Sequence, residues 1–148
     1  MKRLLVAPLL ALSITALAQV SVKDPWVRAT VPIQKSTGAF MQLVSAGDAQ
    51  LIEVRSPVAD SVEIHQMAMN NNVMKMRPIP YLALPAGKTV ELKPGGYHVM
   101  LNGLHQQVKE GDLIPLTLIV ENAEKKREVI EVKAVVRPLS DAGTKAHQ

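Results

Sequence analysis

The 148-residue chain predicts an all-β fold, an antiparallel sandwich or barrel, on three grounds. Short runs rich in β-branched and apolar residues recur along it. Clusters of Gly, Asn, Asp and Pro punctuate those runs, and no window carries the 3.6-residue apolar stripe of a helix. In chain order the runs are 38–44, 61–67, 97–101, 113–121 and 128–136, with Trp26 opening an earlier strand and capping the core. The turn signals fall at 46–48, 70–72, 94–96, 102–103 and 110–112. Pro78, Pro80 and Pro85 make 77–87 an extended crossing segment, because proline cannot donate to a central ladder.

The ends read differently from the middle. Lys2 and Arg3, an apolar stretch from Leu4 to Leu17 and the small-residue site Ala16-Leu17-Ala18 have the pattern of a secretory signal cleaved after Ala18. The expected organisation is a signal at 1–18, one β-sandwich domain over 19–137 and a small, polar, flexible tail at 138–148. No stretch reaches membrane-spanning length, so stable membrane insertion is not expected. Without Lys2 and Arg3, 15 cations face 13 acids. With four aromatic residues to stack on bases, this near balance disfavours nucleic acid as a partner.

Cysteine is absent, so neither a disulfide framework nor a thiolate ligand is available, and methionine is the other sulfur donor. Met67, Met69, Met74 and Met76 flank Asn70-Asn71-Asn72, His65 lies just upstream, and a further pair sits in His98-Val99-Met100. Taken singly, each Met reads as a core filler and each His as structural. Strand parity argues otherwise for the group. Val62 and Ile64 share one face, leaving Glu63, His65 and Met67 on the other, and Val99 and Leu101 likewise oppose His98 and Met100. A two-residue type I′ turn at Asn70-Asn71 would set Met67 opposite Met74 and His65 opposite Met76. Two imidazoles and two thioethers make a soft, neutral donor set that suits Cu(I) above Zn, Mg or Ca.

His65, ten intervening residues, Met76, twenty-one more, then His98-Val99-Met100 resembles the H-x₁₀-M-x₂₁-H-x-M motif of the PCu(A)C family of periplasmic copper chaperones. Flanking text over residues 22–136 looks similar too, including Thr37-Gly-Ala-Phe-Met41, Val73-Met-Lys-Met-Arg-Pro78 and Pro94-Gly-Gly-Tyr-His98. The resemblance implies a cupredoxin-like, Greek-key β-sandwich binding one Cu(I) through His65, Met76, His98 and Met100. It also implies a periplasmic location and delivery to the dinuclear copper site of cytochrome c oxidase subunit II, sometimes with a Sco-type thiol protein. Gln66 stands where some members carry a Met directly after the first His. The tail offers only His147 toward any second copper site, and none is assigned to it.

His105 reads as an exposed loop residue, Met41 as core, and Lys125-Lys126-Arg127 as a solvated hairpin turn. Met67, Met69 and Met74 read as packing or shielding rather than as ligands. An enzyme is not expected, since no nucleophile–base order, carboxylate pair or phosphate-binding glycine loop stands out. A blue-copper redox protein is disfavoured by the missing Cys. The competing reading is a periplasmic interaction module whose Met cluster is an apolar docking patch.

Overall fold

The computed structural model describes Arg3, Pro8 and residues 19–138. Apart from those few positions, the expected signal at 1–18 and tail at 138–148 lie outside the described residues. Among the latter the chain is all β, without a helix. Its strands are β1 (Val20–Arg28), β2 (Ser36–Ser45), β3 (Ala49–Arg55), β4 (Ala59–Asn70) and β5 (Val73–Pro78). They continue as β6 (Leu82–Leu84), β7 (Thr89–Leu92), β8 (His98–Leu104), β9 (Leu113–Asn122) and β10 (Arg127–Arg137).

Hydrogen bonding links them in the order β5-β4-β8-β2-β1-β10-β9-β3-β6, with β7 also on β2. Neighbours run antiparallel except β1 and β10, which are parallel. The non-sequential order is that of a Greek-key sandwich folded over one apolar interior. Leu43, Leu51, Val99, Leu101, Leu116 and Leu118 are among the side chains sealed there. β6 lies at the end of the path beside β3, which is how the Pro-rich 77–87 segment joins the sheet without occupying its centre.

Three local features depart from the sequence reading. β1 slips register between Lys23 and Trp26, where Asp24 adopts φ 51°. The slip reverses the alternation. Val20 and Val22 face the core before it and Val27 after it, so Trp26 is carried to the opposite face rather than capping the core. Second, Asn102-Gly103 is no turn but part of β8. The position requires glycine on two counts: Gly103 has φ +66°, and a Cβ there would strike the Asp60 carboxylate. Third, the two-residue turn joining β4 to β5 is Asn71-Asn72, with φ 50° and 64°, and not Asn70-Asn71. Any of three consecutive asparagines tolerates the left-handed region, so the sequence does not choose between registers.

Met41 is buried, His105 is exposed and bonded to Asp60, and Lys125-Lys126-Arg127 lies at the β9–β10 hairpin, where the Asn122 side chain accepts two backbone N–H groups. Truncating Leu101 to Ala is expected to cost about 2–5 kcal/mol in urea unfolding, as for other sealed leucines. The same change at exposed Leu113 should stay within about 0.5 kcal/mol.

Candidate metal centre

β4 and β8 are adjacent and in a register that sets His65 directly against His98. Ile64 and Val99 point into the aliphatic core, so the two imidazoles project from the other face of the sheet. They are nevertheless buried there, at 9% and 5% exposure, with ring centroids 5.3 Å apart in an edge-on arrangement.

Beside His98 runs a short aromatic row. Trp26 packs on Phe40 at 4.5 Å between centroids, and Phe40 lies 6.4 Å from His98. The Arg28 guanidinium sits over Phe40 and that of Arg137 over Trp26. Gly38 makes this row possible. The Phe40 ring leans across it so closely that a Cβ would come within 2.8 Å of the ring edge.

Each imidazole has one nitrogen committed and one left over. His65 Nε2–H donates to the Glu63 carboxylate at 2.6 Å, and His98 Nδ1–H donates to the Gly96 carbonyl at 3.1 Å. Both partners are acceptors, which places a proton on those nitrogens; in the neutral ring the other nitrogen then carries the unshared pair. His65 Nδ1 and His98 Nε2 are buried and have no hydrogen-bond partner. A buried polar atom left this way costs about 1–3 kcal/mol, so the pair is a liability to stability alone. It is what a metal site requires: neutral rings, lone pairs free, tautomers fixed by second partners. Burial pushes His98 below its ordinary value. Neighbouring His65 and Arg28 act in the same direction, against the bond to Gly96.

The two thioethers flank the rings on the same face. Met100 follows His98 by two residues on β8, opposite Glu63 and Gly38, and is half-buried. Met76 on β5 stands opposite Met67, diagonal to His65, and is 52% exposed. The expected pairing of His65 with Met76 is therefore corrected. Pro78 is the residue opposite His65. Because the turn lies one residue later, the register shifts by two, and an even shift keeps every Met on its predicted face. The structure brings the histidines into contact and sets Met76 and Met100 on the next rungs to either side. Among the described residues no three His, Cys, Asp or Glu side chains cluster as a harder metal site would need.

Glu63, Phe40, Gly38 and Gly96 were not singled out as site residues by the sequence. Glu63 was within reach, since parity puts it on the His65 face. Gly96 follows from the β7–β8 turn, in which Gly95 needs φ +85° and the Gly96 carbonyl is turned toward His98.

Comparison with known proteins agrees with this architecture. The sequence profile "Putative lipoprotein LpqE-like" matches residues 20–135. "Putative lipoprotein Lxx21020" of Leifsonia xyli subsp. xyli is 28% identical over 115 residues, covering 77% of this chain and 69% of that one. "Uncharacterized protein RP573" of Rickettsia prowazekii is 28% identical over 122 residues, 78% of this chain and 66% of its own. Among solved structures, CuI-DR1885 from Deinococcus radiodurans has TM-score 0.62 at 28% identity, over 84% of this chain and 81% of that one. The copper-bound PCuAC domain from PmoF2 has TM-score 0.67 at 24% identity, over 84% and 97%, a likeness of fold. The predicted cupredoxin-like sandwich and the resemblance to the PCu(A)C family are both borne out.

The lowered His98 pKa has a sign that can be tested. As pH falls through the ordinary value of 6.5, the unfolded chain binds a proton that folded His98 still refuses. The apoprotein should keep this contribution above pH 6.5 and lose it below, with a slope of up to about 1.4 kcal/mol per pH unit from this group. Urea unfolding of wild type against His98→Gln at a series of pH values checks it: the variant's profile should be flatter between pH 6.5 and 5.

Proposed function

The chain belongs to the LpqE-like family, and from that membership and the site's geometry we propose that it is an exported carrier of Cu(I). The observation that carries the reading is two buried, unpartnered nitrogens, His65 Nδ1 and His98 Nε2, on rings set against each other across β4 and β8, on the face that also bears Met76 and Met100. In this reading those four residues hold the ion. Two neutral imidazoles and two neutral thioethers suit a monovalent soft cation, because no ligand charge has to be balanced and no ligand proton lost. Copper-bound structures among the relatives support the choice of metal.

Hold and release would be divided between the two kinds of ligand. His65 is fixed by Glu63, and His98 by Gly96 and the aromatic row, whereas Met76 stands in solvent on an outer strand. A partner can displace the exposed thioether first, then the remaining ligands in turn, without unfolding anything. The ion moves by exchange of ligands and stays Cu(I) throughout, so no enzyme chemistry is needed.

The destination belongs to the same proposal: the dinuclear copper site of cytochrome c oxidase subunit II, reached directly or with a Sco-type thiol protein. Its support is the spacing His65, Met76, His98, Met100 shared with the PCu(A)C motif. A periplasmic location after cleavage at Ala18 is supported by the charged and apolar leader and by relatives named as lipoproteins.

The docking-module reading draws on a separate observation, the exposure of Met69, Val73, Met74 and Met76 along one hairpin. Titrating the reduced protein with Cu(I) against a chromophoric competitor separates the two. A carrier binds one ion tightly. His98→Ala should weaken it by more than the roughly 10–100-fold that loss of an outer-shell partner costs, and Met76→Leu should weaken it measurably. Weak binding, or variants that bind as wild type, would overturn the carrier reading and favour the docking module.

A further inference from the structure

Beyond the four residues of the carrier site, the β4–β5 hairpin holds three more thioethers, and the structure removes the simplest account of two of them. Met69 is 65% and Met74 47% exposed, so neither packs in a core. Nor do they shield an ion held between the rings. Met69 lies four residues beyond His65 on β4, about 14 Å along an extended strand.

What the register does is set them against each other. Met69 is the direct partner of Met74, and Met67 of Met76, so two Met–Met rungs follow one another from the turn toward His65. Directly opposed side chains have Cβ atoms about 5 Å apart, close enough for two sulfurs to share one ion. The turn fixes this register, because Asn71 and Asn72 both occupy the left-handed conformation of a tight hairpin. The charged residues of β5, Lys75 and Arg77, alternate with Met74 and Met76 and therefore stand on the other face. The two rungs themselves present sulfur without carboxylate, since Glu63 shares this face of β4 but lies six residues from Met69, about 20 Å along an extended strand. Such a site is poor for a hard divalent ion and suitable for a soft monovalent ion.

We propose that Met69 and Met74 form a second, weaker site for a soft monovalent d¹⁰ cation at the outer end of the hairpin, held by thioethers alone. Met67 and Met76 form the rung between it and the histidines, about 7 Å from each. An ion captured at the outer rung can pass to Met67 and Met76 and then to the rings, one sulfur replacing another at each step. No electron or proton moves, since thioethers carry no acidic proton. The site stands on its own residues; its use as the entry and exit point of the cargo rests on the copper-carrier reading.

The test is a titration of the folded chain, carrying ¹³C-labelled Met ε-methyl groups, with Ag(I) as the redox-inert probe. The first equivalent should shift the His65 and His98 ring signals and the Met76 and Met100 methyls. A second equivalent should then move the Met69 and Met74 methyls together. Met69→Leu, an isosteric change at an exposed position, should abolish the Met74 response while the first equivalent binds as before. Methyls of Met69 and Met74 that stay unmoved in excess Ag(I), as an apolar docking patch would leave them, overturn the proposal. So does a Met74 response unchanged in Met69→Leu. Movement of that pair without any ring response would instead contradict the carrier reading and leave the outer site standing.

Discussion

Two neutral imidazoles pressed together with their free lone pairs buried are the constraint around which the rest of this protein is arranged. A hydrogen bond made in water and lost in the interior is a penalty that folding ordinarily avoids, and the chain bears it at both His65 Nδ1 and His98 Nε2. Nothing in the packing demands histidine at these positions. The aliphatic core is complete on the opposite face of β4 and β8, with Ile64, Val99 and Leu101 sealed. The cost is local, and so is the chemistry it makes available.

Much of the surrounding structure acts to hold those rings in one state. Glu63 and the Gly96 carbonyl accept the ring protons, so each tautomer is set from outside the pair. The bulge at Asp24 brings Trp26 over to the same face, where it backs Phe40, and Gly38 gives the Phe40 ring its place against His98. Burial pushes His98 below its ordinary value, toward the neutral ring. The methionines are held by a different logic. Their hairpin extends away from the core, and their exposure on a rigid two-strand register leaves sulfur reachable by another molecule. Buried nitrogen and exposed sulfur give the face a fixed end and an exchangeable end.

The sequence carried the faces of this site better than its registers. Alternation of Val62 and Ile64 with His65, and of Val99 and Leu101 with His98, reveals orientation because one side chain in two must meet the core. The longest strands were visible for the same reason. β5 was legible only through the asparagine hairpin turn and not through its own pattern, because Val73–Pro78 is exposed along its whole length and has no buried face. The short edge strands β6 and β7 escaped likewise. The turn was misplaced by one residue because Asn70, Asn71 and Asn72 are equivalent as local signals. Trp26 was misassigned because the bulge reverses parity within β1. Asn102-Gly103 reads as a turn dipeptide, yet its positive φ serves the close passage of β8 past Asp60. In each case the missing information was a contact with another strand.

The most direct test is the protonation pattern of the two rings, read from long-range ¹H–¹⁵N correlations of the imidazole nitrogens before and after one equivalent of Cu(I). The account predicts the Nε2–H tautomer for His65 and the Nδ1–H tautomer for His98 in the free protein. It further predicts that Cu(I) shifts His65 Nδ1 and His98 Nε2 while the two protonated nitrogens keep their hydrogens. The opposite tautomers in the free protein, or lone-pair nitrogens that do not respond to Cu(I), would contradict it.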